Sequence, residues 1–93
     1  MRVKNMEGKS GKAVPNQFII DDGWFIYFQS YKSIIVKEEY PHGNMTRKQV
    51  FLDRDKWDYS KTTGKYRNQF LGETRKETEA KIKSGEYILA DLN

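Results

Sequence analysis

The chain has 93 residues, 37% of them hydrophobic and 32% charged, with a formal net charge of +4. That length allows one domain, and the absence of cysteine excludes disulfides, thiolate zinc sites and a thiol nucleophile. A single histidine rules out a multi-histidine metal centre, no apolar run approaches the roughly 18–20 residues of a membrane-spanning helix, and nothing near Met1 reads as a signal peptide.

A mean hydropathy of −0.90 would suit a disordered chain. Two Trp, six Tyr and five Phe argue against disorder, because rings in such number can build a core. The composition points to a cysteine-free, aromatic-rich cytoplasmic domain with no membrane segment, metal or cofactor.

Residues 1–15 hold two Gly and four basic residues, and their few apolar side chains show no period. They read as a flexible basic lead-in to a single domain over residues 16–93. A hairpin follows in Asn16–Phe28, where Asp22-Gly23 suits a two-residue type I′ turn. That turn would pair Ile20 with Phe25, Ile19 with Ile26 and Phe18 with Tyr27. Alternation then sets Phe18, Ile20, Phe25 and Tyr27 on one face and Gln17, Ile19, Trp24, Ile26 and Phe28 on the other. Both faces are apolar, which a sheet covered on one side does not require. Core packing, a second copy of the chain, or a platform for stacking bases would each account for the second face.

Further strands are predicted at Ser33–Glu38 and Lys48–Leu52, with a turn over Tyr40–Asn44 between them. The period then changes. Tyr59, Thr63, Tyr66 and Phe70 mark one stripe of a helix, capped by Asp58 or Ser60 and stopped by Gly72. Thr74-Arg-Lys-Glu77 is a capping box opening a second helix, with Glu77/Lys81 and Glu79/Lys83 as i,i+4 pairs and Ser84-Gly85 at its end. Glu86–Leu92 supplies a fifth strand. The expected fold is α+β: an antiparallel meander of four to five strands packed with two helices from the C-terminal half.

The chemistry on offer is sparse. His42 stands in a Pro-His-Gly turn with no sequence-near partner, and Glu38-Glu39 point to opposite faces of a strand. Asp53, Asp55 and Asp58 lack the glycine and glutamate of a calcium loop, so turn and helix-start roles are expected for them. No phosphate-binding loop or nucleophile elbow occurs, and an enzyme is not expected.

Nine basic and four acidic residues lie between Arg47 and Lys76. Arg47, Lys48, Arg54, Lys56, Lys61, Lys65 and Arg67 are the candidate binding residues, able to neutralise phosphates if the partner is DNA or RNA. Trp24, Phe25, Tyr27 and Tyr31 are the candidate aromatic anchors for an interface.

Val50-Phe-Leu-Asp53, Trp57-Asp-Tyr-Ser-Lys-Thr-Thr-Gly-Lys-Tyr-Arg67 and Phe70-Leu-Gly-Glu-Thr74 resemble a small domain of bacteriophages and related mobile elements. The likeness extends to Pro15–Phe18, Phe28–Tyr31, Lys76–Thr78 and Asp91–Asn93. That domain family has no assigned activity, so the resemblance implies a setting, the inside of a bacterial cell, and no catalytic residue. Two functions fit it. One is a protein-binding module, for example an inhibitor of a host or anti-phage defence protein. The other is a nucleic-acid-binding accessory protein using residues 47–76. A homodimer is compatible with both.

Overall fold

A computed structural model describes residues 1–93 as one six-stranded sheet with two helices against one face. The elements run β1 (Arg2–Glu7), β2 (Ala13–Asp21), β3 (Phe25–Ser30), β4 (Ser33–Glu39), β5 (Gln49–Asp53), α1 (Lys61–Leu71), α2 (Arg75–Ser84) and β6 (Tyr87–Ala90). Strands lie side by side in sequence order. All neighbours are antiparallel except β5 and β6, which are parallel and joined through the helix pair.

The α+β class, the meander and both helices match the sequence reading, while the strand count and the purely antiparallel sheet do not. The added strand is β1, and it falls in residues expected to be a flexible lead-in. β1 pairs with β2 through Arg2–Asp21, Val3–Ile20, Lys4–Ile19 and Asn5–Phe18. Its only buried side chain is Met6, so main-chain bonding and one anchor hold a strand that shows no hydrophobic period. β6 is parallel because the chain leaves β5 and crosses over through two helices, the kind of connection parallel strands need.

The hairpin β2–β3 differs from expectation in register. Ile20 faces Tyr27 and Ile19 faces Phe28, two residues further along than a turn centred on Asp22-Gly23 gives. The two aspartates are the cause. Asp21 Oδ1 accepts the Gly23 N–H, and Asp22 Oδ1 accepts those of Trp24 and Phe25, so the bend moves on to Gly23-Trp24, with Gly23 at φ 93°. A shift of two leaves every side chain on its expected face.

The helix-bearing face carries Ile19, Phe28, Val36, Leu52 and Leu89 in one row across five strands. Phe28, Val36 and Leu52 are fully buried there, with Ile35, Val50, Met6 and Tyr87 completing the core. A bulge in β4 opposite Phe28/Gln29 turns Ile35 inward beside Val36. Phe70 of α1 stacks on Phe28 at 5.8 Å, and Thr63 Oγ1 meets Ser30 Oγ at 2.8 Å. Ser60 caps α1 by accepting the Thr63 N–H, and Gly72 ends it at φ 70°. Thr74 and Glu77 form the capping box of α2.

α2 is tied down by Glu73, whose carboxylate accepts from Lys81 Nζ and Tyr87 OH at 2.7 and 2.8 Å and from the Thr78 hydroxyl. Lys81 therefore pairs with Glu73 and not with the expected Glu77, while Lys83 does lie near Glu79. Burial and the Glu73 carboxylate together push the Tyr87 hydroxyl up to about 12. At the opposite end of the sheet Asn93 bonds both backbone groups of Ile34, at 2.8 and 2.9 Å, where β4 extends beyond β5. Neither helix is long and apolar enough to cross a membrane.

Candidate interaction surfaces

The second face of the sheet has no helix over it. Its central row reads Val3–Ile20–Tyr27–Lys37–Phe51–Ile88 across all six strands. Phe18 and Ile34 flank the row on one side and Phe25 on the other. Val3 is 60% and Ile88 41% exposed, and the rings between them are half-buried. Five of the six strands place an apolar side chain in this row, although Asn5, Gln29, Glu39 and Gln49 share the flanking rows. That is a closer grouping than the scattered exposed apolar residues of an ordinary monomer.

Lys37 occupies the middle of this face. Its Nζ sits 4.2 Å from the centre of the Phe25 ring and 5.7 Å from that of Phe51, held by cation–π attraction, and it makes no salt bridge. Phe25 and Tyr27 lie 6.1 Å apart on the same surface. The tyrosine OH reaches Asp22 weakly, at 3.4 Å. Burial, together with the Asp22 charge, raises the Tyr27 hydroxyl above its usual range.

Of the four aromatic candidates, then, Phe25 and Tyr27 come together and Trp24 and Tyr31 do not. Trp24 is 65% exposed at the β2–β3 turn, edge-on to His42, whereas Tyr31 is 49% exposed in the turn at the far end of β3. Lys37 and Phe51 were missed by the sequence reading. Lys37 follows the run Ile34-Ile-Val36, and the bulge at Ile35 hides the alternation that would have assigned it to the Tyr27 face.

The basic candidates are dispersed. Arg47 and Lys48 precede β5, while Arg54 and Lys56 lie past its other end. Lys48 pairs with Glu38 at 3.1 Å, Lys56 donates to Ser33 Oγ at 2.9 Å, and Arg54 reaches the Leu89 carbonyl at 3.5 Å. Arg47 and Lys48 line one groove with Lys81, and Lys61 and Lys65 line another, beside Gly64, Asn68 and Arg75 at the start of α1.

Arg67 is the clearest departure from a surface-contact role, being 1% exposed. Its Nη1 donates to the Trp57 carbonyl at 2.6 Å and to Asp58 Oδ1 at 3.0 Å, and Nη2 donates to Asn68 Oδ1 at 2.9 Å. The guanidinium also lies 5.2 Å from the Trp57 ring, and Arg75 Nε takes the other Asp58 oxygen at 2.7 Å. Burial works against the Asp58 charge, but the bonds from Arg75 and Arg67 outweigh it and hold the carboxyl below its usual range. Trp57, Asp58 and Arg67 thus form a latch that ties the loop after β5 to α1. No spacing rule reveals it, because it spans a loop, a cap and a helix.

The three aspartates after β5 separate in the same way. Asp53 is 3% exposed and accepts from Leu92 N and Asn93 Nδ2 through Oδ1 and from Asp55 N through Oδ2. Burial raises its carboxyl and these bonds lower it further, to a net value below the ordinary range. No three His, Asp or Glu side chains converge in a metal-binding arrangement.

Against known proteins, a family model described as a family of unknown function covers residues 1–87. No curated protein matches the chain, and no solved structure does.

Proposed function

We propose, from the premise that the chain belongs to the family of unknown function DUF8033, that it is a non-enzymatic module that binds another protein through the open face of its sheet. The observation that carries this reading is the unbroken row Val3–Ile20–Tyr27–Lys37–Phe51–Ile88, with a lysine lacking a carboxylate partner at its centre. Aromatic side chains around a buried polar group make an interface core. A second copy docked face to face about a central two-fold would bring Lys37 against its own equivalent, with like charges unpaired. A partner that presents apolar side chains around a carboxylate satisfies both parts of the surface. In the setting that the phage-type resemblance implies, that partner is a bacterial host or defence protein.

The nucleic-acid alternative has less support, since Lys48, Arg54 and Lys56 are engaged within the fold and Arg67 is enclosed. Capture from nuclease-treated bacterial lysate, followed by reconstitution of the purified pair, separates the two. The protein-binding reading expects Lys37→Glu to weaken the reconstituted complex by about tenfold or more, the loss of one desolvated charge pair. It expects the double variant Lys61→Glu/Lys65→Glu to bind as the parent does. Interactions that all vanish with nuclease, and with the double variant, would transfer the function to nucleic acid.

A further inference from the structure

The helices do not cover the whole width of their face. α1 packs over β3 and α2 over β6, and beside the C-terminal end of α1 a groove of about 850 Å³ remains on the β1–β4 side. Met6, Ile19, Ile26 and Phe70 give it an apolar lining. Arg2, Lys4, Asp21, Glu38 and Gln69 make up the rest of the lining with Met1 and Val3, and of these Glu38 stands out. Glu38 occupies the row Ile26–Glu38–Val50–Tyr87, where the pattern calls for an apolar side chain.

Glu38 is 8% exposed, lines the groove, and receives no hydrogen bond at Oε2. Lys48 Nζ lies 3.1 Å from that oxygen but outside hydrogen-bonding geometry, on a side chain that is 57% exposed. Asp21, the other carboxylate in the lining, is already engaged by the Gly23 N–H and the Tyr40 OH. Removing a carboxylate from water is costly unless it is well paired. Nothing in the core needs this one, since a leucine or valine would complete the row. A buried charge that breaks the local pattern beside a partly apolar groove of ligand size, about 300–1,000 Å³, has the character of a binding group.

We infer that this groove binds a ligand carrying one ammonium or guanidinium group on an apolar body. The cation sits against the Glu38 carboxylate, and the body lies along Ile19, Ile26 and Phe70. Lys48 is a tethered stand-in for the ligand's cation and must swing aside to admit it. Arg2 and Lys4 on the opposite margin repel a polycation, which limits the ligand to a single positive charge. Apart from Val3 at its margin, the groove lies on the side of the sheet away from Lys37, and its test reads Ile19, Ile26 and Phe70, none of which is on the open face.

The test is an NMR titration of backbone amides with three probes: 2-phenylethylamine, its neutral counterpart 2-phenylethanol, and an acetylated, amidated Leu-Lys-Leu peptide. Saturable shifts at Ile19, Ile26 and Phe70 are expected with the amine or the peptide. Binding by the amine alone assigns a small-molecule source, and binding by the peptide assigns a protein segment. The alcohol should bind about tenfold more weakly, and Glu38→Gln should weaken the cationic probe by about the same factor, the size of one charge-assisted hydrogen bond. Lys48→Met removes the competing cation and should tighten binding, an outcome that a purely structural Glu38 would not produce. Absence of saturable shifts with both cationic probes overturns the proposal, as does equal binding of the alcohol or unchanged affinity in Glu38→Gln. If Glu38→Gln does not fold, Lys48→Met decides alone, and unchanged or weaker binding in that variant overturns the proposal.

Discussion

The two faces of the sheet are drawn from the same strands, and residues adjacent in sequence have opposite fates on them. Phe28 is fully buried under Phe70, while its neighbour Tyr27 lies half-buried on a surface that nothing covers. Leu52 is enclosed and Phe51, one residue earlier, is not. The covered face is apolar because the helices need it. The open face carries an apolar row with no such need inside the chain, and an unpaired lysine at its centre. Under the proposed function, the open side receives the protein partner while the core lies on the covered side.

The largest expected effect contrasts the two sides directly. Phe28→Ala should cost about 3–5 kcal/mol in urea unfolding, the range for a fully buried ring, while Phe51→Ala should cost nearer 1 kcal/mol, as a half-buried one. Equal losses would mean that the open face is part of the core. Next comes the latch. Arg67→Ala should destabilise by about 3 kcal/mol, because it leaves the Trp57 carbonyl and one Asp58 oxygen unpaired. Arg67→Lys should not restore the loss, since one ammonium cannot reproduce the planar fork.

Acid should destabilise the fold. Asp53, Asp58 and Glu73 each have a carboxyl held below its ordinary value by hydrogen bonds that outweigh burial. A lowered folded-state pKa gives stability that is present above the unfolded value, about 3.9–4.3, and lost as the pH falls through the folded value. The melting temperature should therefore drop below about pH 4, and Asp53→Asn should make that drop shallower. A smaller loss, about 1 kcal/mol, is expected for Thr74→Ala at the α2 cap.

The smallest effect is a gain. A Cβ on Gly64 would meet the Arg67 guanidinium at 3.6–3.9 Å, which is ordinary contact. Gly64→Ala should therefore stabilise α1 by up to about 1 kcal/mol.

Much of this architecture was legible in the residues. Ser60, Gly72 and the Thr74/Glu77 box mark the helices because capping is local chemistry. The division of the hairpin into a Phe18/Tyr27 face and an Ile19/Phe28 face survives an incorrect turn, since a slip of two preserves it. β1 was not legible. Arg2 and Lys4 share the Ile19 face at the margin that the helices do not reach, so the strand lacks any apolar alternation. The interaction surfaces were less legible than the fold. A count of lysines and arginines over residues 47–76 does not reveal that the segments flanking β5 and helix α1 carry them to separate places, nor that Arg67 is enclosed. Lys37 and Glu38 acquire meaning only from their cross-strand neighbours.

The central claim is that the Lys37 face receives another protein, and site-specific photo-crosslinking inside bacterial cells tests it most directly. A photoreactive side chain is placed at Tyr27, on that face, or at Tyr59, 49% exposed and outside it. The account predicts one discrete, nuclease-insensitive adduct with a different protein from position 27, none from position 59, and loss of the adduct when Lys37→Glu is added. An adduct of twice the chain's own mass, adducts from both positions alike, or none from position 27 would contradict it.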